Sequence, residues 1–323
     1  MKTLLALLCL WIGAGSLANA ETLRGWVQDS AGEKLRTFVT RPAGTQGKVP
    51  VIVFVGWLSC DSMEYAKGEE DGFGALMLRL IDQSSYATLR MDKPGVGESQ
   101  GNCAKADFAS ELSGWKAAFD SLKTYPFIDL DRVFVIGISN GGGFAPLAAE
   151  GHKVRGFVAA SSWGRTWYEH MIEHERRRLA AAGKSAAEVN DGMHGFTQFY
   201  DLYLNQGLTP GQVLDRHSEW KSLWYDKPDG QYGRPAAFYQ QLQALNLGKV
   251  WQSVEAPVLV VYGTGDMVMS RADSDAIGQI VNAAHPGAAT DLTVEGMNHL
   301  FEKDGKFYAP LVPAVLDWMK RQK

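Results

Sequence analysis

Residues 132–143 read Arg132-Val133-Phe134-Val135-Ile136-Gly137-Ile138-Ser139-Asn140-Gly141-Gly142-Gly143. An unbroken apolar run with no alternation predicts a strand buried on both faces, as in a parallel sheet. It ends in Gly-x-Ser-x-Gly, where the residues two positions either side of Ser139 are small. That pattern permits a sharp strand-to-helix turn with the serine held in strained backbone at its tip, and glycine is the residue that lets the following helix approach the sheet. Ser139 is therefore the candidate nucleophile. Pro146 falls early in the expected helix and must either kink it or lie near its start.

The rest of the chain repeats the same units on either side of this turn. Val49–Val55, Tyr86–Met91 and Val154–Ala160 read as further core strands, and Phe73–Ile81 and Phe108–Leu122 as helices. The pattern resumes at Pro257–Tyr262, Ser270–Asn282, Thr290–Val294 and Ala309–Lys320. Strands alternating with helices predict an α/β protein with a mostly parallel, doubly wound sheet. Between them, residues 163–250 carry no convincing strand and read as a helical cap insertion, with a Gly/Asn/Asp break near Asn190–Gly195. The core is then 21–162 together with 251–323. The charge run Glu173–Arg178 reads as a solvated helix face.

The chain has 323 residues, 46% apolar and 21% charged, which excludes a disordered or fibrous protein. Its net charge of −4, without clusters, argues against a nucleic-acid partner. Residues 1–20 read as a secretory signal peptide: Lys2, an apolar run from Leu4 to Leu17, then Ala18-Asn19-Ala20 with cleavage after Ala20. The expected location is secreted or periplasmic. No later stretch is long enough to span a membrane, so no stable membrane insertion is expected.

A serine nucleophile needs a base, and the base needs an orienting acid. His299 lies in Glu295-Gly296-Met297-Asn298-His299, a loop after an apolar strand and before the last helix. Asp266 closes Tyr262-Gly263-Thr264-Gly265-Asp266, directly after another strand. Both loops fall at the carboxyl edge of the expected sheet, where sites gather in open α/β folds. The loop one strand earlier, Ser161-Ser162-Trp163, holds no carboxylate. Asp273, Asp275 and Asp291 read as surface residues. His170 and His174 have a spacing that can bind a metal, but with no third ligand they read as an exposed helix face, and no metal or other cofactor is expected. Gly141–Gly143 lacks the lysine of a phosphate loop.

The chain order Ser139, Asp266, His299 resembles that of the α/β-hydrolase superfamily. Asp92-Lys93-Pro94-Gly95-Val96-Gly97-Glu98-Ser99 is also similar to that superfamily's loop after the fourth strand, which gives the second Gly-x-Ser-x-Gly, at Gly97–Gly101, a structural explanation. The resemblance implies a serine hydrolase acting through an acyl-enzyme on a small-molecule acyl substrate, a carboxylic ester first. The alternatives are a peptidase, with Glu169 or Glu173 receiving the peptide terminus, and a non-catalytic binding module. It also implies an oxyanion hole from the backbone N–H of Asn140 and of Trp57, with Leu58 as the alternative to Trp57, although Val55-Gly56-Trp57-Leu58 departs from the His-Gly common there. Cys60 and Cys103 follow two loops that the superfamily places at one edge of the sheet, so a disulfide between them is expected, with two free thiols as the alternative. Trp163, Trp167 and Tyr168 are candidate substrate-binding aromatics.

Overall fold

The computed structural model describes residues 20–65 and 72–322. The strands are β1 (Glu21–Gln28), β2 (Lys34–Arg41), β3 (Val49–Val55), β4 (Ala87–Met91), β5 (Ile128–Ile138), β6 (Gly156–Ala160), β7 (Gly230–Gln231), β8 (Arg234–Pro235), β9 (Val258–Gly263), β10 (Ala289–Val294), β11 (Glu302–Lys303) and β12 (Lys306–Phe307). The α-helices are α1 (Gly72–Gln83), α2 (Phe108–Ser121), α3 (Asn140–Ala148), α4 (Trp167–Ala181), α5 (Ala186–Tyr200), α6 (Pro210–Arg216), α7 (Ala236–Gln243), α8 (Leu247–Gln252), α9 (Arg271–Ala284) and α10 (Leu311–Arg321). The proposed signal peptide, apart from Ala20, lies outside the described residues. Among the described residues no helix is long and apolar enough to cross a membrane.

Eight strands form one sheet in the order β1-β2-β4-β3-β5-β6-β9-β10. β1 and β2 pair antiparallel, β2 pairs antiparallel with β4, and the remaining pairings are parallel. The fold is thus the expected mostly parallel α/β sheet. Its centre is the apolar run of β3, where Val51, Ile52, Val53, Phe54 and Val55 are wholly buried. β1 was not anticipated. It is an edge strand with one solvated face, and its mixed residues Glu21-Thr22-Leu23-Arg24-Gly25-Trp26 carry little apolar signal.

The connection from β6 to β9 holds α4 to α8 and the β7–β8 ribbon. The ribbon corrects the expectation of no strand there. The break expected near Asn190–Gly195 is also absent, since α5 runs through it. A capping box at Ser185 and Glu188 starts that helix, and Val189, Met193, Phe196 and Tyr200 bury one face, which outweighs Gly192 and Gly195. α3 ends at Ala148, so Pro146 sits in its last turn rather than near its start.

Candidate active site

The turn from β5 to α3 places Ser139 at φ 55°, ψ −124°, outside both regular conformations. Two glycines make this turn possible. A Cβ at Gly137 would lie 2.4 Å from Gly142 Cα, and one at Gly141 would lie 2.2 Å from the Gly56 carbonyl oxygen. The close approach at Gly141 brings the start of α3 against the end of β3, so Asn140 and Trp57 line the same cavity as Ser139. The backbone N–H groups of Asn140 and Trp57 make no hydrogen bond to other described residues.

The loops after β9 and β10 are stitched to each other. Gly265 N–H donates to the Met297 carbonyl at 3.0 Å, Thr264 N–H to Val294 at 3.1 Å, and Gly296 N–H to Thr264 Oγ1 at 2.8 Å. This brings Asp266 and His299 together: His299 Nδ1 is 2.9 Å from Asp266 Oδ2, and His299 Nε2 is 2.9 Å from Ser139 Oγ. Asp266 Oδ1 accepts the N–H groups of Val268 and Met269 at 2.8 and 2.9 Å, which fixes the carboxylate. With Nδ1–H turned to that carboxylate, Nε2 presents a lone pair to the serine hydroxyl. Phe73 packs against the imidazole in a T-shaped contact with ring centroids 5.7 Å apart.

The second Gly-x-Ser-x-Gly is occupied differently. Ser99 Oγ accepts the Arg36 N–H at 2.8 Å and donates to the Asp92 carbonyl at 3.0 Å, a buried structural contact. In the same loop the Lys93 ammonium is fully buried and donates to the carbonyls of Trp57 and Ser59. Burial pushes its pKa down to about 8. Cys60 and Cys103 form a disulfide with Cα atoms 6.0 Å apart. The fully buried Arg234 donates to Cys103 Sγ and to Glu111, which ties the β7–β8 ribbon to α2.

The cavity containing Ser139, Asn140 and His299 has a volume of about 440 Å³. Of the three proposed aromatics only Trp167 lines it. Trp163 is buried beside it, donating Nε1–H to the Asn140 carbonyl, and Tyr168 is turned to the Thr197 carbonyl. Sequence reasoning missed Phe73, Met269 and Leu300, and also Tyr232 and Arg178; Tyr225, an aromatic of the insertion that could serve as packing or as substrate wall, lines the cavity. Among the described residues no carboxylate lines the cavity. Glu169 is taken up by the capping box of α4, and Glu173 faces Arg177 at 3.8 Å.

His170 and His174 both line the cavity, so the exposed-face reading is corrected. His170 is 3% exposed, with Nδ1 3.1 Å from Asp273 Oδ2. Asp273, read as a surface residue, is fully buried and also accepts Arg165 at 2.8 and 3.0 Å and the Ser270 N–H and hydroxyl at 2.8 Å. Burial alone would raise its pKa, but the His170 hydrogen bond and charge, the Ser270 N–H and Arg165 together hold it well below the usual carboxylate range. Burial, reinforced by the charge of His170, lowers His174 to about 4, so it is neutral at physiological pH. Among the described residues no cluster of three or more His, Cys, Asp or Glu could hold a metal ion.

The profile of the Alpha/beta hydrolase family matches residues 52–310. Comparison with curated protein sequences returns no significant match. Several solved structures share the fold. Est1E from Butyrivibrio proteoclasticus with ferulic acid bound is 19% identical, with a TM-score of 0.63, covering 92% of this chain and 98% of that one. An esterase of Pyrococcus furiosus is 14% identical, with a TM-score of 0.58 and coverages of 94% and 91%. Acetyl xylan esterase 1 from Thermoanaerobacterium is 15% identical, with a TM-score of 0.53 and coverages of 95% and 85%. At these identities the likeness is one of fold.

Proposed function

The chain belongs to the alpha/beta hydrolase family, and from that premise we propose that it is a serine hydrolase of carboxylic esters, with Ser139 as nucleophile, His299 as base and Asp266 as orienting acid. The reading is carried by the unbroken Ser139–His299–Asp266 file, two contacts of 2.9 Å with the serine at a strained turn.

In the proposed cycle Ser139 Oγ attacks the ester carbonyl carbon while His299 Nε2 takes the hydroxyl proton. The backbone N–H groups of Asn140 and Trp57 receive the developing oxyanion. Asp266 stabilises the imidazolium without taking its proton. His299 then protonates the departing alkoxide, which leaves as the alcohol. Water attacks the acyl-enzyme, its proton passes to His299 and on to Ser139, and the carboxylic acid is released. An ester is favoured over a peptide because among the described residues the cavity lining offers no carboxylate for a peptide amino terminus. The esterases that share the fold are in keeping with this choice.

Residues 163–250 serve in this reading as a cap over the site, supported by the cavity contacts of Trp167, His170, His174, Arg178, Tyr225 and Tyr232. The disulfide fits an exported protein, secreted or periplasmic, as oxidising compartments preserve such bonds.

A fluorophosphonate probe tests the proposal. Labelling is expected on the wild type and absent from Ser139→Ala, together with hydrolysis of short p-nitrophenyl esters that the same variant abolishes. A folded wild-type protein that neither labels nor hydrolyses would favour a binding module and end the reading.

A further inference from the structure

Trp167, His170, His174 and Arg178 line the cavity from one face of α4, following the three- and four-residue spacing of a helix. Arg178 differs from the others in how it is mounted. Its Nε donates to Glu175 Oε2 at 2.6 Å. Glu175 is completely buried, and its other oxygen accepts the hydroxyls of Tyr225 at 2.8 Å and Tyr200 at 3.3 Å. The guanidinium also lies over the Tyr225 ring, 4.8 Å from its centroid. A buried carboxylate is unfavourable unless well paired, and here one oxygen is anchored by two tyrosine hydroxyls while the other holds the arginine. That arginine is 39% exposed, and its Nη1 and Nη2 make no hydrogen bond among the described residues.

The free edge is therefore held at a cavity to which the described residues supply no carboxylate and which is otherwise walled largely by groups such as Trp57, Leu58, Phe73, Met269 and Leu300. Two parallel N–H groups match the two oxygens of a carboxylate, whereas a neutral carbonyl engages only one. The local charge agrees: residues 173–178 carry three arginines, Arg176, Arg177 and Arg178, against Glu173 and Glu175.

We propose that Arg178 is a specificity-determining residue that binds a carboxylate on the substrate, so that the preferred substrates are half-esters of dicarboxylic acids, with the ester carbonyl at Ser139 and the free acid at the Arg178 edge. This rests on the reading of Ser139 as nucleophile.

The test compares monoethyl with diethyl esters of the same dicarboxylic acids over a series of chain lengths. In the wild type, kcat/KM is expected to favour the half-ester at the length that spans the cavity, with KM for it rising as salt is added. In Arg178→Met the ratio of half-ester to diester kcat/KM should fall by about tenfold to a hundredfold, the range of a hydrogen bond to a charged group, with Arg178→Lys between. Glu175→Gln/Arg178→Met removes both charges together and gives the same readout should the single variant fail to fold. A wild type without half-ester preference at any length, or a ratio that moves less than threefold in the variants, would overturn the proposal. Fluorophosphonate labelling of the same proteins keeps the two readings apart, because it reports Ser139 whatever the substrate preference.

Discussion

The ammonium of Lys93 donates to the backbone carbonyl of Trp57, and through a second bond, at 2.6 Å, to that of Ser59. Both carbonyls belong to the loop of Trp57, the proposed oxyanion donor, which lines the cavity with Ser139. A buried lysine with no carboxylate bonded to it among the described residues is an unusual choice for stability alone, and its position in the loop after β4 joins that loop to the one after β3.

Lys93→Met should separate activity from stability. Removing one oxyanion donor costs about 10²–10³ in rate, so a misplaced donor is expected to lower kcat by at least about tenfold with little change in KM. The pKa of Lys93 is depressed by burial from 10.5 to about 8. Between those values the unfolded chain binds more protons than the folded one, so this residue destabilises the fold below about pH 8 and the penalty fades as pH rises toward 10.5. The methionine variant loses that penalty along with the two bonds, so its unfolding temperature at neutral pH should stay near that of the wild type. In the wild type, kcat should fall on an alkaline limb near pH 8 that Lys93→Met lacks. A coincident loss of folding and activity, or an unchanged pH profile, would contradict this.

Asp266→Asn and Asp273→Asn should fail in different ways. Both carboxylates hold a histidine that lines the cavity, but only His299 touches Ser139. An amide at 266 cannot hold the reactive tautomer, and a loss on the order of 10⁴ in kcat is expected with the fold retained. Asp273 instead anchors Arg165 to the start of α9. Breaking a buried pair of this kind destabilises by about 3–5 kcal/mol. The folded pKa of Asp273 is depressed, so its stabilisation is present above the unfolded value of 3.8 and is lost as pH falls below it. The gap in unfolding temperature between wild type and Asp273→Asn should therefore narrow on acidification below about pH 4. Thermal melts from pH 7 to 3 measure this directly.

The contrast between these two aspartates also shows what the amino-acid order made legible. Ser139 follows β5 directly, and Asp266 and His299 lie in the loops just after β9 and β10, so strand direction alone sends all three to one rim of the sheet. Asp273 lies in a helix N-terminal turn, where an acidic residue usually caps and faces water. Its burial depends on α4, which arrives from more than a hundred positions earlier in the chain. The same long-range packing hid the cavity wall. The four-residue spacing of His170 and His174 was visible, but a helix so rich in charge gives no sign of which face is covered. Tyr232 lies in the turn of a ribbon with two-residue strands, where no periodicity exists to be read. β1 was missed for the opposite reason: it is held by backbone pairing to β2 rather than by an apolar pattern.

Reducing the Cys60–Cys103 bridge, or replacing both residues with serine, should destabilise the protein. The bond closes a separation of 43 residues, for which the chain-entropy model gives ~4 kcal/mol. At about 2 °C per kcal/mol for a chain of this size, the unfolding temperature should drop by roughly 8 °C. Thiol titration of the denatured, unreduced protein should find no free group at Cys60 or Cys103. Two free groups at these positions would remove the basis of the prediction.

Two glycine-to-alanine changes should have opposite signs. At Gly141 the new Cβ would meet the carbonyl oxygens of Gly56 and Val55 at 2.2 and 2.4 Å. Both are backbone atoms at the end of β3, a buried central strand, and neither can retreat without parting the sheet from α3. The start of α3 must move instead, carrying Ser139 and Asn140 away from the Trp57 loop. Gly141→Ala should therefore lower both the unfolding temperature and the rate of fluorophosphonate labelling. At Gly278, in the middle of α9, the nearest atom to the new Cβ is Val260 Cγ2 at 3.8 Å, an ordinary contact. There the alanine only restricts the unfolded chain and improves helix propensity, and about 0.5–1 kcal/mol of added stability is expected with labelling unchanged. A Gly141→Ala protein that labels at the wild-type rate would show that the close approach of α3 to β3 does not set the geometry of the serine.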